Sequence, residues 1–446
     1  MKNGLGVVAA AVLMAVAGCS PVRPTLGYPG QYPRAVDGPD LPRAGLGLRA
    51  LPEWTPCRWF IVALPCPGER EESPEEWVGR WKEVLSKAAG AARVVLLANE
   101  DRLDELTALA EAWEEMDDEA DVVFAVTGSP WLRDYGPIFA RGREGRIYAV
   151  DPLRADPRGA TEGSWDEELM PLRLVEFLAP RGAGLALLPI PLFLDGGDLL
   201  TDGQGTAFTS RETLLKNGAD RANLERIFAR CFGCSRVVVL ESLPGPVARH
   251  IDLFVKIADE RTVLVGQYGP GDQLAPPLNL LQRQAHQALE RNALLLRREW
   301  ASAGPGRRIL RVPMPDLSIE RREAEAAARR GGEKEGAPAE PKQEKKREGP
   351  APSRRDGREG GQSGRAAPSE VIVYRTYLNS LFIKGSHNVL LVPSYGVVDK
   401  KIESAAHEAL GKIYGECHGK TEVFPFPSEP EIRSGGSVHC VAITVP

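Results

Sequence analysis

The sequence predicts an α/β fold, and three observations predict it. Short apolar strands alternate with helical segments along the chain. The clusters richest in reactive polar residues adjoin those strands, where α/β proteins place functional groups. The chain has 446 residues, 43% of them hydrophobic, which is ample for a large core.

At the N-terminus, Lys2 precedes an apolar run from Leu5 to Val16. That run is too short to span a bilayer stably. It ends in Val16-Ala17-Gly18-Cys19, and small residues before a cysteine resemble a bacterial lipoprotein signal. On that reading residues 1–18 are a signal peptide and Cys19 is the lipidated first residue of the mature protein. The alternative is a plain secretory signal with an incidental cysteine. Ser20 follows, rather than Asp, which predicts outer-membrane sorting in a Gram-negative cell. The protein is then exported to the cell envelope and held at the membrane by its lipid. Residues 19–50 are rich in Pro and Gly and read as a flexible tether.

Folded pattern begins near Leu51. Arg58 to Leu64 reads as a strand and Pro74 to Ala89 as a helix, with Trp77, Trp81 and Val84 as its apolar stripe. Ser73 suits its N-cap and Pro74 its first turn. Arg93 to Ala98 and Asp121 to Val126 read as strands, with a helix over Glu100 to Met116 between them. Further strands are expected over Leu185–Leu194, Arg236–Leu240, Thr262–Val265 and Arg308–Val312. Helices are expected over Arg221–Cys231 and Leu278–Trp300.

The composition then breaks. From Arg321 to Glu370 there is no Val, Ile, Leu, Met, Phe, Trp or Tyr. Such a stretch cannot bury enough apolar surface to offset its ordering entropy, so a disordered charged insert is expected at about 318–369. It interrupts a single domain over residues 51–446, because the piece after it is too short for a core of its own. Its charge is mixed, and no partner for it is implied. Net charge over the whole chain is −5, so there is no basic excess to attract nucleic acid.

Seven cysteines are present. Cys231 and Cys234 form a Cys-x-x-Cys pair, but zinc would need two further ligands. Cys417 and His418 are the obvious candidates, and nothing in the sequence brings them to the pair. A disulfide, or two semi-buried thiols, is the expectation, and no metal site is predicted.

Four clusters carry chemistry. They are Trp131-Leu132-Arg133-Asp134-Tyr135-Gly136-Pro137, Asp195-Gly196-Gly197-Asp198, Arg249-His250-Ile251-Asp252 and Gly435-Gly436-Ser437-Val438-His439-Cys440. Each alone has an ordinary reading: Asp134 as a turn-former, Gly196-Gly197 as tight backbone, His250 as a satisfied histidine, Cys440 as inert core. Together, a cysteine, a histidine and three carboxylates suit attack on a guanidinium carbon. Carboxylates hold that planar cation by charge-assisted bidentate hydrogen bonds. A thiolate attacks it, and an acid protonates the departing ammonia.

In this order the four clusters resemble the agmatine deiminase and bacterial peptidylarginine deiminase family. Pro52-Glu53-Trp54 and Tyr377-Leu378-Asn379-Ser380 extend the likeness, which covers about residues 51–315 and 371–446. The resemblance implies the five-bladed, pseudo-symmetric α/β-propeller of the guanidino-modifying enzymes. It implies Cys440 as nucleophile and His250 as general acid and base. It implies Asp134 and Asp252 as the guanidinium clamp, and Asp195 as a group orienting His250 or a substrate nitrogen. Trp131 and Asn379 would line the pocket. No metal or organic cofactor is implied. His439, if it lies on an extended segment with Cys440, should point away from it and serve structure.

Three positions depart from the family pattern. Asp195 stands where glutamate is usual, Arg249 where glycine is usual, and Ser437 where asparagine is usual. The first shortens reach by one methylene, and the second adds bulk and charge beside the site. The leading reading is therefore a deiminase acting on agmatine or on an arginine-containing peptide. Export favours a guanidine outside the cytoplasm, since polyamine synthesis from agmatine is usually cytosolic. The alternative is a lipoprotein that binds guanidinium groups or peptides without turnover. Mass spectrometry of the native mature protein tests the export reading: lipid on Cys19 with residues 1–18 absent is expected, and an unmodified Cys19 would contradict it.

Overall fold

The computed structural model describes residues 44–63, 74–97, 129–153, 164–218, 220–245, 250–322, 369–433 and 435–446. The expected signal peptide, Cys19, most of the tether, Cys66, the helix over 100–116, the strand over 121–126, Arg249 and residues 323–368 lie outside them.

In chain order the first elements are β1 (Arg49–Ala50), β2 (Trp59–Ala63), α1 (Pro74–Ala89) and β3 (Arg93–Leu97). A one-turn helix α2 (Leu132–Tyr135) leads into β4 (Ile138–Arg141), β5 (Ile147–Leu153), α3 (Ser164–Leu178) and β6 (Leu185–Phe193). Then come β7 (Leu200–Thr201), β8 (Thr206–Ser210), α4 (Arg211–Lys216), α5 (Arg221–Phe232) and β9 (Arg236–Leu240). They are followed by β10 (Val255–Asp259), β11 (Thr262–Gln267), α6 (Leu278–Glu299) and β12 (Arg308–Pro313). The last part holds β13 (Ser318–Arg322), β14 (Ser369–Val373), β15 (Leu381–Lys384), β16 (Asn388–Ser394), α7 (Lys400–His418) and β17 (Thr421–Pro427). It ends in α8 (Glu429–Arg433), the one-turn helix α9 (Val438–Val441) and β18 (Ala442–Val445).

Among the described residues, five sheets share one plan: an antiparallel pair, then a parallel pair joined through helix. They are β4-β5-β6, which β1 extends at the β4 edge, then β7-β8-β9, β10-β11-β12, β15-β16-β17 and β18-β2-β3. Parallel neighbours need a long crossover, and a helix supplies it in each case. In the last sheet the chain's final strand pairs antiparallel with β2, and β2 pairs parallel with β3.

The apolar runs explain the packing. All five side chains of β2 are buried. They alternate between faces, as strand geometry requires. Phe60 and Val62 meet Trp81 and Leu85 of α1 in one cluster, while Trp59 and Ile61 meet Met170 and Leu174 of α3 in another. The same division recurs in β5 (Ala149 against Val150), β8 (Ala207 against Phe208), β11 (Val263 against Leu264) and β16 (Leu391 against Leu390). Each middle strand therefore serves two core clusters, which is why these strands read as continuous apolar runs rather than as polar–apolar alternation.

The boundaries of the charged insert need correction. A start at about 318 and an end at about 369 were expected. In the structure Ser318–Arg322 pairs with Ser369–Val373 in an antiparallel ladder, Ser318 opposite Val373 and Arg322 opposite Ser369. The two edges of the insert satisfy their backbone groups against each other, and on β14 Ile372 and Val373 pack against two core clusters. Arg375 adds charge-assisted bonds to Glu320 on β13 and to Glu429 on α8.

Ile61, fully buried in the strand shared by two clusters, tests this packing. Ile61→Ala should cost about 2–5 kcal/mol by lost burial and cavity formation. A lowered urea midpoint reads this out, and a change under ~1 kcal/mol would contradict the shared-strand core.

Candidate active site

The sequence-predicted site residues sit on short turns that lead into the first, antiparallel strand of a sheet. Asp134 lies on α2, just before β4. Asp195 caps a 3-10 turn at Gly196–Asp198, before β7. His250 caps a second at Ile251–Leu253, which contains Asp252, before β10. Asn379 precedes β15, and Cys440 lies on α9 before β18. Strand ends were expected to carry the clusters, and these clusters sit at strand entrances.

The turns meet because glycines let them. A Cβ on Gly196 would lie 2.1 Å from the Arg133 carbonyl oxygen, which lacks room for any side chain. A Cβ on Gly197 would lie 2.9 Å from His250 Nδ1 and 3.1 Å from Asp252 Oδ1. A Cβ on Gly436 would lie 2.6 Å from the Trp131 ring and 2.8 Å from Cys440 Sγ. All four clusters thus come together around one centre, with Trp131 packed beside the Cys440 turn.

Asp252 is the hub. It is 2% exposed. Its Oδ2 lies 2.7 Å from His439 Nδ1, accepts a 3.1 Å hydrogen bond from Asn379 Nδ2, and stands 3.8 Å from Cys440 Sγ. Burial opposes its ionisation, yet the hydrogen bond and field of His439 hold its pKa below the usual carboxylate range. Its Oδ1 is buried and has no hydrogen-bond partner among the described residues. Asn379 ties the Cys440 turn down as well: its side-chain oxygen accepts from Ser437 N at 2.9 Å and lies 3.4 Å from Cys440 Sγ. Arg133 braces the same turn from below, donating to the carbonyls of His439 at 3.2 Å and Ala442 at 2.9 Å.

His250 lies between two carboxylates. Nδ1 is 3.3 Å from Asp134 Oδ1, and Nε2 is 3.2 Å from Asp195 Oδ2. Burial favours the neutral ring, but Asp134 and Asp195 outweigh it and hold the pKa well above the ordinary imidazole value. The ring is therefore imidazolium at neutral pH and ready to donate a proton. Asp195, although shorter than glutamate, reaches the ring. Burial opposes its charge, but His250 and Lys216 hold its pKa below the usual carboxylate range. Behind it, buried Asp198 accepts from Ile251 N at 3.2 Å and Ser210 Oγ at 2.6 Å, fastening the two 3-10 turns together. Burial pushes that carboxyl to about 6.

Cys440 is 4% exposed. Burial, then the carboxylates of Asp252 and Asp134, push its thiol well above the usual range. The empty site therefore holds a neutral thiol. A cation seated between those carboxylates would cancel their field and favour the thiolate.

One expectation changes. His439 does not lie on an extended segment: it shares the one-turn helix with Cys440 and bridges Asp252 Oδ2 and Glu53 Oε2, the latter at 3.0 Å. Asn379 is fully buried and ties the Cys440 turn to Asp252. Residues that the sequence reading left without a role also enter. Glu53 accepts from Phe382 N at 2.8 Å and pairs with Lys256 at 2.7 Å, and Lys216 pairs with Asp195. The signal for Glu53 was present in Pro52-Glu53-Trp54, as an acid inside an otherwise apolar entry segment. Lys216 carried none, because it meets Asp195 only through the fold. Cys231 and Cys234 are free, buried thiols, and burial pushes both to about 12.

The family described as Porphyromonas-type peptidyl-arginine deiminase matches residues 49–446. The protein named "putative agmatine deiminase" from Vibrio parahaemolyticus is 23% identical over 328 residues, covering 71% of this chain and 75% of that protein. Among solved structures, C. jejuni agmatine deiminase matches with a TM-score of 0.59 at 18% identity, over 89% of this chain and 95% of that one. Agmatine deiminase of Enterococcus faecalis matches with a TM-score of 0.64 at 16% identity, over 93% and 99%. At these identities the structural likeness establishes the mixed α/β fold that the chain shares with them.

The raised thiol has a measurable sign. Thiolate is the reactive form, so alkylation by neutral iodoacetamide should be slow at pH 7 and should keep rising beyond the ordinary thiol pKa of about 8.5. Asp134→Asn removes one of the carboxylates that hold the proton, and should speed alkylation severalfold at pH 8. Alkylation at pH 7 as fast as that of a free cysteine peptide would contradict the assignment.

Proposed function

The chain belongs to the Porphyromonas-type peptidyl-arginine deiminase family and is a hydrolase of guanidino carbon–nitrogen bonds; from that premise we propose that Cys440 attacks a guanidinium carbon clamped by Asp134 and Asp252, with His250 moving the protons. The observation that carries this reading is the convergence at one centre of a thiol, two carboxylates facing it and an imidazolium held between acids.

The steps follow from the charges. A guanidinium entering between Asp134 and Asp252 meets the unpartnered Asp252 Oδ1 and cancels the field that keeps the thiol protonated. The thiol proton leaves to solvent, and sulfur bonds to the guanidinium carbon. His250 gives its proton to one nitrogen of this adduct, which departs as ammonia and leaves a cationic thiouronium on Cys440. The ring, now neutral, takes a proton from water, and the hydroxide adds to the carbon. Collapse breaks the carbon–sulfur bond, releases the ureido product and returns a proton to sulfur. The sum is guanidinium plus water giving a ureido group and ammonium.

Asp195 keeps His250 in place, with Lys216 as its second partner. Its 3.2 Å contact with His250 supports turnover over the alternative of a guanidinium-binding protein without it. The five repeated sheets, each lending one face of its middle strand to the next cluster, support a five-bladed pseudo-symmetric ring around this centre. We further propose an envelope lipoprotein anchored through Cys19, acting on agmatine or arginyl peptides outside the cytoplasm.

The decisive experiment measures ammonia and ureido product over agmatine, free arginine and arginyl peptides, with three variants. Cys440→Ser should abolish turnover and largely spare binding, because neutral serine cannot supply a thiolate's nucleophilicity while the clamp remains. Asp134→Asn should weaken binding as well as rate. His250→Ala should stall the covalent species, detectable as added mass on Cys440. Turnover unaffected by Cys440→Ser would remove the mechanism.

A further inference from the structure

Outside the catalytic centre, a groove of about 570 Å³ runs between β1, β4, β15 and the segment Leu51–Pro56. Three cations line it, Arg49, Arg141 and Lys384, and no acidic side chain does. Arg49 and Arg141 are direct register partners across the β1–β4 pair, so two like charges face each other on one side of the sheet. Directly opposed like charges destabilise a strand pair. A fourth cation stands near: the Arg143 guanidinium lies over Gly47, where a Cβ would sit 3.3 Å from its Nε. Elsewhere in this acidic chain exposed arginines find acids, as Arg221 does with Glu225 and Glu299, and Arg291 with Glu241. The groove's cations make no such pair among the described residues. Their floor and wall are Leu51, Pro52, Pro56 and the half-buried Trp54, which exclude water from one side and strengthen any ion pair formed there.

We propose that this groove binds a phosphate group, held by the facing guanidiniums of Arg49 and Arg141 and by the Lys384 ammonium. Two guanidiniums present paired N–H donors that match tetrahedral oxyanions, and the ammonium adds a point charge. The apolar wall fits the organic remainder of a phosphate ester. Because Arg49 lies where the N-terminal segment joins the fold, a phospholipid headgroup and a soluble phosphate ester are both within reach of this chemistry. The site is separate from Cys440 and does not depend on the deiminase reading.

The test uses the purified full-length chain. Titration with inorganic phosphate and pyrophosphate at constant ionic strength, read by Trp fluorescence, reports the soluble arm. Sedimentation with phosphatidylcholine vesicles, with and without phosphatidylglycerol, reports the lipid arm. Saturable binding in either arm that weakens at least about tenfold in Arg49→Gln/Arg141→Gln supports the site, and the arm that responds identifies the source. Guanidine turnover of the variant should match the parent, and its melting temperature should be no lower, since an opposed like-charge pair has been removed. Should the double variant fold poorly, Lys384→Gln, on a different sheet, must weaken binding in the same arm. Binding in neither arm, or binding that both variants leave unchanged, overturns the proposal.

Discussion

One buried carboxylate organises the centre of this molecule. Ionised Asp252 in a nearly solvent-free position carries a desolvation cost of several kcal/mol unless its oxygens are matched. The protein matches only one of them. Oδ2 takes His439 and Asn379, which are themselves fixed by Glu53 and by the nucleophile turn. Oδ1 is buried without a hydrogen-bond partner among the described residues. A charge half satisfied in this way positions its neighbours and attracts cations. Burial of the thiol, together with this charge and that of Asp134, also holds the proton on the sulfur. Cys440 and Asp252 are therefore not independent, because the same electrostatic field governs both.

The surrounding fold is what makes this crowding possible. The chemical groups enter on turns before the antiparallel strand of several different sheets, so no single element has to bend around the site. The cost falls on the backbone, which must let the turns approach within contact of one another. Gly196, Gly197 and Gly436 meet that demand, since at each a Cβ would overlap a carbonyl oxygen, the imidazole or the sulfur itself. The motifs pair glycines with catalytic groups for this steric reason.

Much of this was legible in the sequence, and the limits are physical. Strands such as Trp59–Ala63 and Arg236–Leu240 announce themselves as short apolar runs, because both faces are buried. Helix Leu278–Glu299 shows its stripe over 22 residues. By contrast Ser164–Leu178 carries Pro171 inside the helix and a diffuse apolar pattern, so packing rather than local preference decides it. The β13–β14 ladder pairs a largely polar strand with one far along the chain, which no periodicity reveals. In the site, Asp134, Asp195 and Cys440 stand in clusters that pair reactive residues with glycine, whereas His250 and Asp252 could be picked out only together with them, by the order of the four clusters. The orientation of His439 could not, because it turns on whether four residues form strand or helix. Lys216 acquires its place only once α4 packs beside the 3-10 turn.

The pairing of β18 with β2 carries a consequence for when the enzyme comes into being. Residues 442–445 complete a sheet begun at residues 59–62, and Cys440 hangs from that last strand by a single turn. Such a contact, spanning nearly the whole folded chain, is among the slowest to form. During synthesis the other sheets can gather while the sulfur still lacks the wall of acids that controls it. Reactivity toward guanidines is therefore a property of the completed chain, gained only when its last strand has paired.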